Sequence, residues 1–293
     1  MECATTLKLL NLGCGERYHK DWTNVDFVSY SHDVMAHNLL NGIPFPDNHF
    51  DVVYHSHLLE HFSRENAPGF IRECWRVLRS GGTIRVAVPD LERIARAYLE
   101  QLELALRGGK EAGLNYEWIM LEMYDQTVRN HSGGEMGKLY RSGYAPNADF
   151  IHERVGVRLN KENKIEGNMI ETNALAVRVR DLMRLVGKHP TPQTGLFIIR
   201  NLLSEFRYLF LRIILWREYR YYELGRFRLS GEIHQWMYDR FSLSKLLVDC
   251  NFKEMRVCSA RQSRIPNWES FHLDANLDGT VYKPDSLYME ATK

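Results

Sequence analysis

The sequence carries no excess of either charge, no paired cysteine motif and no uninterrupted apolar run, and each absence closes a class of answers. Its 38 Lys and Arg residues offset 37 Asp and Glu, leaving a formal charge of +1. Proteins that grip nucleic-acid phosphates carry a strong basic excess, so nucleic acid is not an expected partner. The cysteines, Cys3, Cys14, Cys74, Cys250 and Cys258, number five and form no C-x-x-C pair. Neither a disulfide framework nor a zinc ribbon follows, and reduced thiols in a cytoplasmic setting are expected. No basic stretch leads into an apolar run and a small-residue cleavage site, so no secretory leader is expected. Residues 195–222 are rich in Leu, Ile, Phe, Tyr and Trp, but Arg200, Arg207, Arg212, Arg217 and Arg220 interrupt them. A membrane span needs about 20 mostly apolar residues in succession, so no transmembrane helix is expected.

What is present suits one substantial core carrying a large insertion, since 44% of the 293 residues are hydrophobic. An apolar run over residues 8–13 ends in the turn Leu12-Gly13-Cys14-Gly15 and predicts a buried parallel strand. Further strands are predicted at 23–27 and 50–54, the latter after the turn residues 43–48. Ser63 is the expected N-cap of a helix with Pro68 in its first turn and Phe70, Ile71, Cys74, Val77 and Leu78 at helical spacing. Ser80-Gly81-Gly82 is expected to end it, before a strand over 83–88. Asp90 is the expected cap of the next helix, and a helix from Leu243 precedes strands at 254–258 and 287–291. Strands alternating with helices predict a doubly wound, mostly parallel sheet of Rossmann-like form. In such sheets ligands sit beyond the carboxyl ends of the strands, which gathers Gly13, Gly15, Asp26 and the residues after Tyr54 around one crevice. The division read from the sequence is a first core part at 1–105, a mostly helical insertion at 106–230 serving as lid or acceptor site, and a second core part at 231–293.

The glycine turn leaves two readings open. Its side-chain-free backbone suits close approach to a ligand, with Asp26 accepting hydrogen bonds from ribose hydroxyls. Alternatively the glycines only turn the chain and Asp26 is a solvated strand end. The dinucleotide fingerprint is absent: a third glycine is missing at its spacing, and ten residues separate Gly15 from Asp26. The helix expected between the first two strands must therefore be short.

Taken in order, Leu10-Asn11-Leu12-Gly13-Cys14-Gly15, Asn24-Val25-Asp26, residues 44–53 from Pro44 to Val53, Leu59-Glu60-His61-Phe62 and residues 76–82 from Arg76 to Gly82 resemble the class I S-adenosylmethionine-dependent methyltransferases, of the methyltransferase type 11 kind. The resemblance covers residues 8–88. The run Lys283-Pro284-Asp285-Ser286-Leu287-Tyr288 looks like a bacterial branch associated with surface-glycan or natural-product pathways. The resemblance implies S-adenosylmethionine as cofactor, with Asn11, Gly13, Cys14 and Gly15 facing its methionine part and Asp26 holding its ribose. It further implies that Asn38 and Leu39 flank the adenine, where an Asp is common in place of Asn38. Ser56 and His57 would line the methionine or acceptor side.

His57-Leu58-Leu59-Glu60-His61 also matches H-x-x-E-H, in which two imidazoles one helical turn apart hold zinc and a glutamate activates water. The pattern has three fixed positions in a chain with 12 histidines, and it follows a buried strand where the methyltransferase pattern has Leu-Glu-His. A zinc hydrolase is therefore the second reading, no metal is expected, and a catalytically silent cofactor-binding module is the third. Methyl transfer from a sulfonium is an in-line displacement governed by alignment. For a hydroxyl acceptor, on a sugar or another small metabolite, a general base helps, and His131 and His234 followed by Asp125 are the candidates. Residues 124–136 suit a lid loop, and 234–239 a second wall of the acceptor site. The arginines of 197–228 spread around a helical projection, which favours a buried helix pair or a homodimer contact over a peripheral membrane face.

Overall fold

The computed structural model describes residues 7–29, 31–156, 207–208 and 210–293. Cys3, Arg200 and the loop expected at 161–168 lie outside them. Strands β1 (Leu9–Leu12), β2 (Thr23–Asp26), β3 (Val34–Ala36), β4 (Phe50–Ser56), β5 (Leu78–Pro89), β6 (Lys253–Cys258) and β7 (Ser286–Thr292) form one sheet in the order β3-β2-β1-β4-β5-β7-β6. The first five pair in parallel, while β7 runs antiparallel between β5 and β6. The described helices are α1 (Ala67–Val77), α2 (Leu91–Leu106), α3 (Lys110–Val128), α4 (Gly134–Ser142), α5 (Ala148–Val155), α6 (Tyr219–Arg228) and α7 (Arg240–Asp249). None is long and apolar enough to cross a membrane.

Strand alternation decides what covers each face. Leu10, Leu12, Val53, Ile84, Val86 and Val88 pack with Phe70, Ile71 and Cys74 of α1 and Leu243 and Leu247 of α7. Burying each such side chain contributes about 1.5–3 kcal/mol before entropy is subtracted. On the opposite face Leu9, Val52 and Tyr54 meet Trp22, Ile265, Trp268 and Leu273. A helix was expected in the link from β1 to β2, but residues 13–22 form turns. Ten residues leave room for little else, and Trp22 commits the link to that aromatic cluster. The irregular segment 258–274 takes the place of a covering helix there.

Two other boundaries differ from expectation. The hydroxyl of Ser63 accepts from the Asn66 amide, so it caps the turn before α1, which starts at Ala67 with Pro68 in its first turn. Ser80-Gly81-Gly82 does not end the helix, because α1 gives way to β5 at Leu78. The glycines form a bulge, seen as a register jump from the pair Phe50–Leu78 to Val52–Thr83. Gly81 has φ of 76°, and a Cβ on Gly82 would stand 2.9 Å from the Arg79 carbonyl oxygen. Asp90 caps α2 as expected, accepting from the Arg93 amide.

From β5 to α7 every described element is helical. Ile94, Trp118, Ile119, Met136, Ala145 and Ile151 form a separate small core there, and Glu122 receives a bidentate pair of bonds from Arg154. Of the segment 197–228, the described residues do not form a buried pair: Phe210, Ile213, Ile214 and Trp216 are each at least 60% exposed.

His55 of β4 gives the core a titration signature. It is fully buried, packs edge-on against Phe70, and neither ring nitrogen has a hydrogen-bond partner. Burial depresses it to about 4, with the Glu60 charge opposing that shift. Because the folded value lies below the unfolded 6.5, the unfolded chain binds the proton first. Stability is thus fully present above pH 6.5 and drains as pH falls toward 4, by about 3 kcal/mol from this ring. His55→Phe should flatten that part of the urea-midpoint profile between pH 7 and pH 4. An unchanged slope would mean that another group carries it.

Candidate functional site

At the carboxyl ends of β1 and β4, where the strand order reverses, lies a cavity of about 180 Å³. Asn11, Gly13, Cys14, Gly15, Ser56 and His57 line it, and Leu273, Tyr282 and Lys283 from the C-terminal segment close it. Gly13 has φ of 63° and lies under Leu58, so a Cβ there would come within 2.7 Å of that side chain. Gly15 has φ of 52° and nothing within 4 Å of where its Cβ would be. Its open side is the kind of surface a close-lying ligand needs.

The turn's amides point elsewhere than expected. Gly13 and Cys14 donate to the Val25 carbonyl, and Gly15 donates to Asp26 Oδ2 at 2.7 Å. The main-chain N–H groups are therefore occupied by β2. Asp26 also accepts from Val28 at 3.3 Å through Oδ1, which leaves about half of the carboxylate's lone-pair positions open. Cys14 is buried, which raises its thiol to about 12, and it remains part of the cavity lining. Asn38 caps a single 3-10 turn, accepting from Leu40, and holds Leu39 inward beside Ile43.

Sequence reasoning missed the C-terminal wall. Arg17 donates to the carbonyls of Leu273 and Ala275 and stacks 4.2 Å over the Tyr282 ring, tying the glycine loop to residues 273–282. Lys283 joins Arg17 as a cation of the cavity lining; burial lowers its ammonium against the pull of Glu60. The one advance signal was the Lys283-Pro284-Asp285 run itself.

Behind His57 the H-x-x-E-H residues do not share a helix face. His57 takes φ of 51°, and only a 3-10 turn, Leu59–His61, follows. His57 Nδ1 stands 3.3 Å from Glu60 Oε1, and its Nε2 stands 2.7 Å from the Ser286 hydroxyl. His61 turns to the Ile233 carbonyl through Nδ1 and meets the His234 ring edge-on, with centroids 4.8 Å apart. His234 Nε2 is 3.9 Å from Glu60 Oε1. Burial pushes the Glu60 carboxyl up while His57, His61 and His234 pull it down, to about 2. That pull needs charged rings, yet burial lowers His61 and takes His234 to about 3.

None of the three candidate bases belongs to the cavity lining. Asp125 is buried in α3, and its carboxylate accepts from the amides of Glu135 and Met136, holding the start of α4. His131 is half exposed in the loop before α4, 3.9 Å from Glu135. His234 alone reaches the Glu60 cluster, pinned by its amide to the Gln126 carbonyl.

A methyltransferase-domain family matches residues 10–86. A probable S-adenosylmethionine-dependent methyltransferase of Mycobacterium tuberculosis is 33% identical over 104 residues, which covers 29% of this chain and 37% of that one. A similarly named protein of Mycolicibacterium smegmatis is 31% identical over 99 residues, 28% of this chain and 38% of its own. The match thus spans less than two fifths of these relatives. Among solved structures, an S-adenosylmethionine-dependent methyltransferase from Archaeoglobus fulgidus aligns over 99% of this chain and 87% of its own, at 10% identity and a TM-score of 0.36.

Proposed function

Residues 10–86 belong to the class I S-adenosylmethionine-dependent methyltransferases, and from that premise we propose that the whole protein is a methyltransferase acting on a hydroxyl of a sugar or other small metabolite. The carrying observation is the cavity that joins Gly13 and Gly15 to Ser56 and His57 beyond the strand ends, with Asp26 bonded to the Gly15 amide of its wall. The residues fit the cofactor: Gly15 presents a face that any side chain would fill, and Asp26 keeps acceptor positions for two ribose hydroxyls. When bound, S-adenosylmethionine supplies a methyl group on a sulfonium centre.

The chain's own residues then have distinct tasks. Asp26 fixes the ribose, Asn38 and Leu39 flank the base, and Asn11 with the glycine turn contours the methionine end. Lys283 meets negative charge at the closed end of the cavity. Ser56 and His57 face the acceptor. His57 is the wall residue nearest to a base role: its Nδ1 stands 3.3 Å from Glu60 Oε1, and its Nε2 would take a hydroxyl proton where the acceptor displaces the Ser286 hydroxyl, now 2.7 Å away. His234 backs Glu60. Asp125 holds the start of α4, with His131 in the loop before it, and we assign the region 106–230 to acceptor selection.

Calorimetric titration of the purified chain with S-adenosylhomocysteine tests the reading. Saturable one-to-one binding is expected, with methyl transfer to hydroxyl-bearing acceptors from labelled S-adenosylmethionine. Folded protein that binds neither compound would end the proposal.

A further inference from the structure

We propose that Glu60, His61 and His234 hold one divalent ion of the zinc or cobalt class behind His57, a residue of the cavity wall. One ligand atom from each of the three lies within 4.8 Å of the others. Glu60 is wholly buried and His234 is 5% exposed. Neither carboxylate oxygen of Glu60, nor Nδ1 of His234, has a hydrogen-bond partner. Leaving such groups unmade in the interior is costly, and an ion would satisfy the acid outright.

The surroundings are those of a supported ligand set. His61 donates from Nδ1 to the Ile233 carbonyl at 3.2 Å, which leaves Nε2 as a bare lone pair. Metal-bound histidines are fixed by this kind of bond to a backbone carbonyl. The Glu60 carbonyl accepts from the amides of Gln235 and Trp236, and the Gln235 side chain donates to the His61 carbonyl. The turn 59–61 is thereby laced to residues 233–236, and both segments carry ligands. His57 stands outside the trio, with Nδ1 3.3 Å from Glu60 Oε1, where it would steady the carboxylate that holds the ion. Lys283 acts on Glu60 through space but bonds to neither oxygen.

Two imidazoles and one carboxylate select borderline ions rather than calcium or magnesium, which prefer all-oxygen shells. Metal–ligand bonds of about 2.0–2.1 Å put tetrahedral ligands about 3.4 Å apart. The 3.9 Å between His234 Nε2 and Glu60 Oε1, and the separations of up to 4.8 Å across the trio, therefore have to close on binding, which asks both imidazole rings to swing toward the carboxylate. The site stands independently of the methyl-transfer reading. Only its consequence rests on that reading: an ion beside His57 would favour oxygen-bearing acceptors over amines.

The test is titration of the chelator-treated full chain with Co²⁺, followed by visible spectroscopy. One equivalent should give strong ligand-field bands that Zn²⁺ displaces. His61→Ala and His234→Ala should each weaken binding by about 100-fold or more, as should Glu60→Gln where it folds by circular dichroism. Folded wild type without bands overturns the site, and so do bands that persist in both histidine variants. Calorimetry with S-adenosylhomocysteine on the same samples separates the two claims. Nucleoside binding without cobalt bands leaves the methyltransferase reading standing, and bands without nucleoside binding do the reverse.

Discussion

Asp26→Ala is expected to weaken S-adenosylhomocysteine binding by roughly 100-fold, with Asp26→Asn near tenfold. A hydrogen bond to an ionised acceptor contributes about 1.5–3 kcal/mol, and the ribose offers two hydroxyls to one carboxylate. Losing both bonds removes on the order of 3 kcal/mol, and each 1.4 kcal/mol is a factor of ten. The variant also frees the Gly15 amide, since Asp26 Oδ2 accepts from it at 2.7 Å, so part of the loss is a looser turn. Asparagine separates the two effects, because its carbonyl can still take the Gly15 amide. Calorimetry that finds alanine within threefold of wild type would remove Asp26 from the site and, with it, the assigned orientation of the cofactor. Melting temperature should change little, since the side chain is only partly buried.

The features of the fold and site readable in the sequence are those set by neighbours along the chain. The strand β1 with its glycine turn, the strand β4 behind its Pro-Asp-Asn turn, and the Asp90 cap are all local signals, and each falls where expected. What escaped is set by residues far apart. Arg85 sits in an apolar strand pattern with no hint that it is buried, because its partners Asp274 and Glu290 lie about 200 positions later. The pairing of Glu60 with His234 spans a similar distance. The H-x-x-E-H spacing suggested a helical pair of ligands. The positive φ at His57 breaks that geometry and turns Glu60 toward residues that no local pattern could name. The missing helix after β1 had a trace in the ten-residue spacing, but its replacement by residues 258–274 had none.

That replacement depends on Arg85, and Arg85→Met should produce the largest loss of stability in the molecule. The guanidinium is wholly buried on the face of β5 away from α1. It donates to Asp274 and Glu290 at 2.8 Å each and to the carbonyls of Ser259, Ala260 and Gln262, and it stacks 4.4 Å from the Trp268 ring. Methionine fills the space but strands two buried carboxylates, a change that costs about 3–5 kcal/mol. For a chain of this size that corresponds to a fall in melting temperature of roughly 6–20 °C. The pH dependence identifies the cause. Burial already raises Asp274 against the lowering pull of Arg85, and without the arginine its folded value rises further. A raised folded value means stability present below the unfolded 3.8 and lost as pH climbs through the folded value. The deficit of the variant should therefore be small near pH 4 and grow toward neutrality. A deficit equal at both pH values would point to lost packing instead. Adding Asp274→Asn and Glu290→Gln to Arg85→Met should recover part of the loss, because no charge is then stranded. The damage should also reach the cofactor cavity, since Asp274 accepts from Tyr54 at 2.5 Å and Arg17 bonds to Leu273 and Ala275. A residue with no place in the cavity lining would thus lower nucleoside affinity by loosening the wall that segment 258–282 provides.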